Sequence, residues 1–250
     1  MGLAESEALV LRTYNLAEAD KIVVCLTRNA GLIRAVAKGS RRIKNRFGAA
    51  LEPFTLVNIS YFQKENQELV SLRQAEILKS HFDLLSDPHV LAALAYVGDL
   101  LVEFSPPHQT NDKLFRMVRA CLDGIAEAPQ EFQLILRYFE VWILKLEGFL
   151  PDLLKCAGCH QLFSEDDLPM ISGSELSCRR CVQGKGEVLS RQAYLVLRST
   201  QSLSPPVFVQ QFQQTPERIK REIAELTHQI IGRVLERRPR VQPMLQSMPQ

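Results

Sequence analysis

No apolar run in this 250-residue chain reaches the roughly 18 residues that a membrane-spanning helix needs, so nothing is expected to cross a bilayer. The first twenty residues lack a basic segment followed by an apolar one, and no secretory signal is read there. Nucleotide-binding loops of the GxxxxGKS, GxxxxGKT and GxGxxG kinds are missing, as is the GxSxG nucleophile elbow. HExxH and HxE patterns, which would announce a catalytic zinc, do not occur either. Five histidines (His81, His89, His108, His160, His228) are scattered, none beside an acid at a recognised spacing. His81 and His89 flank a turn and read as surface groups. Cys25 lies in an apolar run and Cys121 in a helical pattern, where a cysteine is more often a small core residue than a nucleophile. With these handholds absent, the chain is expected not to be an enzyme. It shows no internal repeat and no low-complexity tract.

What is present is ordinary globular material, 46% hydrophobic and 23% charged, enough to bury a core. The net charge of +2 is small, but its distribution is uneven. Residues 1–80 carry 12 Lys/Arg against 8 Asp/Glu, residues 81–155 carry 6 against 11, and residues 156–250 carry 12 against 9. A basic end beside an acidic middle favours an anionic partner for the first third. Four of the six cysteines fall in two CxxC pairs, which reads as metal ligation in a reducing compartment rather than a disulfide framework. A cytoplasmic location is expected.

The first eighty residues have the period of strands. Runs at 8–12, 21–27, 32–37, 54–62 and 68–73 are β-branched or aliphatic and of strand length. Arg28-Asn-Ala-Gly31 suits a tight hairpin, and Glu65-Asn66 a second turn. Five strands without a full-length helix suggest a small, partly open barrel of the OB type. From Ser86 the period becomes helical. Asp87-Pro88 starts one helix and Ser105-Pro-Pro107 stops it. Leu114, Val118, Leu122 and Ile125 mark a second. A third, from about 129 to 147, is apolar on most faces and should lie in the middle of a bundle, with Gly148 at its C-cap. Ser190 opens a shorter helix and Thr215-Pro216-Glu217 a long one. The last dozen residues, with their prolines, read as frayed. The fold class is α+β: an N-terminal OB-fold β-barrel over residues 1–80, then an α-helical domain over 81–250. A four-cysteine zinc-binding segment, residues 154–186, is inserted in the latter.

Cys156-Ala-Gly-Cys159 and Cys178-Arg-Arg-Cys181 form CxxC–x18–CxxC. Two-residue spacing lets both thiolates of a knuckle reach one ion, and two knuckles complete a tetrahedral shell. Thiolate softness favours zinc, one ion, and four sulfurs leave no open position for water, so the zinc is expected to be structural. A redox CxxC is the weaker rival. His160 could replace a cysteine, but a surface imidazole is the plainer reading.

Between Arg34 and Arg46 stand six basic residues, Arg34, Lys38, Arg41, Arg42, Lys44 and Arg46, with no acid among them. Charge runs are usually solvated loops. Gly39 and Gly48 bracket this one, letting the backbone turn and approach a phosphate chain. Phe47 puts an aromatic beside the charges, and Tyr14, Tyr61 and Phe62 are further candidate stacking faces, with core packing as the alternative and as the expectation for Phe54. Phosphate contacts plus base stacking are how OB-folds hold single strands.

Ala8-Leu-Val-Leu-Arg12, Leu26-Thr27 followed by Gly31, Val36-Ala-Lys-Gly39 with its basic continuation, and Leu51-Glu-Pro-Phe54 resemble, in order and spacing, the N-terminal region of the RecO family of bacterial recombination mediators. The helical middle, the cysteine segment and the final helix fit the same plan, so the resemblance covers nearly the whole chain. It implies binding of single- and double-stranded DNA, annealing of complementary strands, and a nucleoid-associated cytoplasmic location. It also implies work with RecR, and in many bacteria RecF, to load RecA onto strands coated with single-stranded-DNA-binding protein. The helical domain should hold that protein's acidic, Phe-ending tail. Arg137 is one candidate for this, with a buried internal ion pair as its alternative. Arg179-Arg180 is a fallback DNA contact. Two other classes stay open: a zinc-ribbon protein-interaction module without annealing activity, and a metal-dependent nuclease or hydrolase.

Overall fold

The computed structural model describes residues 2–63, 68–164, 167–183 and 186–236. The expected Glu65-Asn66 turn and the expected frayed tail lie outside the described residues. No described helix is long and apolar enough to cross a membrane. The chain divides into two compact units, with the division at 116/117.

In the first unit, β1 (Gly2–Leu16), β2 (Asp20–Thr27), β3 (Gly31–Ala37), β4 (Leu56–Gln63) and β5 (Leu69–Lys79) form a barrel in the order β1-β2-β3-β5-β4. The barrel is closed rather than partly open. β1 pairs along β4 from Gly2↔Gln63 to Leu9↔Leu56, and a short parallel ladder joins β3 to β5 at Arg34↔Leu69 through Val36↔Ser71. Its interior follows the two-residue period of the strands. Ala8, Val10, Val23, Cys25, Ile33, Ala35, Val57, Ile59, Tyr61, Val70 and Leu72 all point inward. A register shift between Val10 and Arg12 marks a bulge in β1, and past it Arg12 points outward. Its guanidinium meets Asp99 at 2.8 Å and the carbonyl of Gly98 at 3.0 Å. Both belong to α1 (Pro88–Phe104), which Asp87 caps by accepting the N–H groups of His89 and Val90.

Gly31 closes the β2–β3 hairpin with φ +62, and a Cβ there would stand 2.0 Å from the carbonyl oxygen of Gln109. The segment after α1 is therefore laid directly on the hairpin. His108 N–H donates to Leu32 O at 3.1 Å, and Arg28 pairs with Asp112 at 2.8 Å. His81 is not a surface group. It is 3% exposed, and its Nδ1 lies 3.0 Å from the carbonyl oxygen of Phe54. That carbonyl can only accept, so Nδ1 carries the proton. Sequence position near a turn suggested exposure; a backbone acceptor 27 residues earlier drew the ring inside.

α2 (Asp112–Glu127) carries the division between the units. The second unit is built on α3 (Phe132–Leu146), preceded by a single 3₁₀ turn at Pro129–Glu131. α3 packs against α4 (Arg191–Thr200), α5 (Pro205–Phe212) and α6 (Glu217–Val234). Its buried residues run from Leu134 to Leu144 with little interruption, as its apolar faces predict. Trp142 Nε1 donates to Thr200 O at 2.7 Å and the Tyr138 hydroxyl to Leu203 O at 2.8 Å, tying α3 to the α4–α5 corner. α5, opened by Ser204 and two prolines, is an element that periodicity did not reveal. Between α3 and α4 lies a small sheet, order β7-β6-β8, of Met170–Ser172 (β6), Glu175–Ser177 (β7) and Glu187–Val188 (β8).

Candidate nucleic-acid interface and metal centre

The basic run occupies the end of β3 and the connection from β3 to β4, and all six cations are exposed. The connection is tied down by its backbone and by two polar side chains. Gly39, at φ +73, donates its N–H to Asp20 Oδ1 at 2.8 Å. Arg42 N–H returns to Gly39 O at 3.1 Å, closing a turn. Asn45 Oδ1 accepts the N–H groups of Phe47 and Gly48 at 2.9 and 2.8 Å, while its Nδ2 donates to Arg42 O at 3.1 Å. The loop is thereby seated on the β1–β2 turn, at one end of the barrel.

The cations fall into two groups. Arg41 is spent on that turn: its N–H donates to Ala19 O and its guanidinium to Ala17 O, both at 3.0 Å. Arg46 reaches Leu72 O at 3.3 Å and lies over the Phe47 ring, 4.8 Å from its centroid. Among the described residues, the side chains of Arg34, Lys38, Arg42 and Lys44 meet no hydrogen-bond or ion-pair partner. Three unneutralised cations on one anchored loop, with Arg34 on the adjoining strand β3, make a surface suited to phosphate oxygens.

Phe47 does not serve as a stacking face. It is 3% exposed and packs with Ala50 and Leu51 into the barrel core. The connection from β3 to β4 must cap the barrel's open end, and the aromatic in it supplies the area to do so. Tyr61 and Phe54 are buried too, Phe62 is half-buried, and Tyr14 is half exposed on β1. Ile43, between Arg42 and Lys44, is fully exposed. Sequence reasoning passed over it; a lone aliphatic amid cations, with no periodic partner, was the available signal.

In the second unit the four cysteines converge. The Sγ atoms of Cys156, Cys159, Cys178 and Cys181 all lie within 4.8 Å of one another, and Cys159 and Cys178 are 3.9 Å apart. Tetrahedral coordination with metal–sulfur bonds of about 2.3 Å requires sulfurs about 3.8 Å apart, so the set fits one metal ion. Local hydrogen bonds shape both knuckles. His160 N–H donates to Cys156 O at 2.8 Å, Cys181 N–H to Cys178 O at 3.0 Å, and Cys178 N–H to Cys156 Sγ at 3.2 Å. A side chain at Gly158 would stand 2.9 Å from Cys181 Cβ, so only glycine lets the knuckles approach. Burial opposes ionisation of Cys156, but the N–H groups of Cys159, Cys178 and Gly158 outweigh it and bring the thiol down to about 5. Cys181, crowded by the other three sulfurs, is pushed up to about 12. Cys178 is lowered as well, chiefly by the Cys181 N–H, and a bound cation would offset the repulsion that opposes the remaining thiolates. His160 is exposed and outside the sulfur group. The other two cysteines are core residues, and burial alone pushes Cys25 up to about 12.

Arg137 is the ion-pair alternative realised. It is 7% exposed, its Nη1 lies 3.0 Å from Glu140 Oε2, and Glu140 also meets Thr227 Oγ1 at 2.6 Å and His228 Nε2 at 3.1 Å. A guanidinium so engaged is not offered to a partner's acidic tail. Arg179 and Arg180 are exposed beside the second knuckle, with Arg180 donating to Gln161 at 3.1 Å.

The family described as Recombination protein O N terminal matches residues 1–81, and the one described as Recombination protein O C terminal matches residues 85–243. The DNA repair protein RecO of Koribacter versatilis is 40% identical over 157 residues, covering 63% of this chain and 64% of that protein. Those of Anaeromyxobacter dehalogenans (31% over 185 residues, 74% of this chain and 72% of the relative) and Alkaliphilus metalliredigens (30% over 179 residues, 72% of each) are similar at greater reach. The alignment with the Koribacter protein thus spans just under two thirds of that relative's length. One match takes in the barrel with its basic loop and the other takes in the helices with the four cysteines, and on that footing the chain belongs to the recombination protein O (RecO) family.

Proposed function

We propose that this chain is a non-enzymatic DNA-binding protein of recombinational repair. It binds single- and double-stranded DNA, anneals complementary strands and, with RecR and in many bacteria RecF, helps load RecA onto strands coated with single-stranded-DNA-binding protein. Residues 1–80 form the DNA-binding domain and residues 81–250 the helical domain, which takes the coating protein's C-terminal tail. Cys156, Cys159, Cys178 and Cys181 hold one structural zinc ion within residues 154–186, and the protein works in the cytoplasm at the nucleoid.

The observation that carries this reading is the group of cations without partners among the described residues, Arg34 on β3 and Lys38, Arg42 and Lys44 on the loop that follows it, which is anchored to a closed OB barrel. Annealing needs no catalytic group. Two polyanions repel, and a cationic surface that holds both lowers that cost while leaving bases free to pair. Arg41 and Arg46 belong to the same surface, but their tethers make them the lesser contributors. Four phosphate contacts give a log–log salt slope of about −3 on single strands. Arg42→Glu with Lys44→Glu should weaken binding of fluorescent single-stranded DNA about tenfold or more and slow annealing in parallel. A folded double variant that keeps both activities would move the DNA site elsewhere, with Arg179 and Arg180 next in line. Absence of salt-dependent binding in the unaltered protein would favour a zinc-ribbon interaction module instead.

A further inference from the structure

The same loop presents one group that phosphate binding does not use. Ile43 stands fully exposed between Arg42 and Lys44, two of the cations left without partners. A single exposed aliphatic is common on protein surfaces, and exposure alone assigns nothing. Its setting is what distinguishes it. The loop's core-filling duty falls to Phe47, four positions on, so folding makes no demand on Ile43. The backbone around it is fixed from both sides, by the Arg42 N–H to Gly39 O bond and the Asn45 Nδ2 to Arg42 O bond, at 3.1 Å each. Asp20 and the β1–β2 turn hold the loop's base. The side chain is therefore displayed on an ordered segment, so little loop ordering remains to oppose binding.

A strand of nucleic acid whose phosphates engage Arg42 and Lys44 passes over Ile43. The apolar surface it can bring there is the face of a base. In a duplex those faces are covered by stacking; in a single strand they are open. OB-folds usually meet such faces with aromatic side chains, but Phe47, the aromatic of this loop, is buried in the barrel. Aliphatic side chains also insert against bases in nucleic-acid complexes. We infer that Ile43 is the base-contacting residue of this loop, packing on an unstacked base of single-stranded DNA without sequence preference. This rests on the reading that the basic loop binds DNA and adds a preference for strands whose bases are free.

The test uses the full-length protein and an oligothymidylate of about 16 nucleotides carrying one 2-aminopurine, whose fluorescence rises when the base leaves its stack. Ile43→Ala should weaken binding about three- to tenfold and leave the salt slope unchanged, since no charge is altered. It should also diminish the 2-aminopurine rise, and Ile43→Phe should restore both affinity and signal. Duplex affinity should change by less than about twofold with Ile43→Ala. The inference is overturned if Ile43→Ala keeps wild-type affinity and fluorescence while Arg42→Glu with Lys44→Glu weakens binding; the DNA-binding reading would then stand without it. An equal loss on duplex overturns the preference for open bases. If neither Ile43→Ala nor the charge reversal affects binding, the basic loop is not the DNA site and the inference fails with that assignment.

Discussion

Asp20 accepts the backbone N–H of Gly39 at 2.8 Å, so an acid at the start of β2 holds the base of a loop whose free side chains are cationic. The contact separates two effects that a single substitution would confound. Asp20→Asn keeps an acceptor and removes a negative charge from beside the basic loop. Asp20→Ala removes the acceptor as well, and a hydrogen bond of this kind is worth about 1 kcal/mol. Asp20→Ala is therefore expected to bind single-stranded DNA about two- to fivefold more weakly than Asp20→Asn, measured by anisotropy at one salt concentration. Equal affinities would show that the loop's order does not depend on this anchor.

Glu140 is fully buried, and its protonation should report on the second unit. Burial by itself raises a carboxyl's affinity for protons; here the Arg137 guanidinium, with His228 and the Thr227 hydroxyl, outweighs burial and holds Glu140 below its ordinary value. A folded-state value below the unfolded one means that the unfolded chain binds the proton more readily. The stabilisation is then complete above the ordinary glutamate value of about 4.3 and is lost as pH falls through the depressed folded value. Urea unfolding of wild type and Glu140→Gln should show a difference at neutral pH that shrinks in acid. Glu140→Ala, which leaves Arg137 buried without its acid, should cost about 3–5 kcal/mol at neutral pH.

Removing the metal is expected to loosen the region around the knuckles and to spare the barrel. Cys178→Ala should lose most of its bound metal and lower the thermal midpoint by about 4 °C or more. Single-strand binding at low temperature should stay within about twofold of wild type. Full metal content with a native midpoint in this variant would remove Cys178 from the ligand set.

His81 Nδ1 supplies a donor to the carbonyl of Phe54 at 3.0 Å, a residue held at φ +60 with its own N–H 2.7 Å from Val10 O. His81→Leu should fill the volume yet leave the Phe54 carbonyl without that donor, a loss of about 1–3 kcal/mol. His81→Gln, which can still donate, should recover part of it; indistinguishable denaturation midpoints for the two variants would count against the bond.

Much of this was legible in the chain itself because it depends on near neighbours. Asp87-Pro88 starts α1 and Ser105 ends it. Ser190 caps α4 by accepting the N–H of Ala193. The two-residue period of Val23 and Cys25, or of Val57, Ile59 and Tyr61, marks strands facing one core. Where the reading failed, the deciding partner was distant. Phe47 looked like a binding aromatic because its neighbours are cationic, but its ring packs into the core of a barrel walled by β1 to β5. His81 found Phe54, and Arg137 found Glu140 and His228 of α6, which turned a candidate binding cation into a satisfied internal one.

By itself the sequence determined the periods, the caps, the thiol spacing and the cluster of basic residues, since each is set by covalent geometry and by neighbours a few positions apart. Only the tertiary structure decided which aromatics are buried and whether four sulfurs lie at coordination distance. It also divided the cations of the basic run, leaving Arg34, Lys38, Arg42 and Lys44 without partners among the described residues while spending Arg41 on Ala17 and Arg46 on Leu72. Burial and pairing are properties of surfaces brought together across the chain, and no local pattern encodes which surfaces those will be.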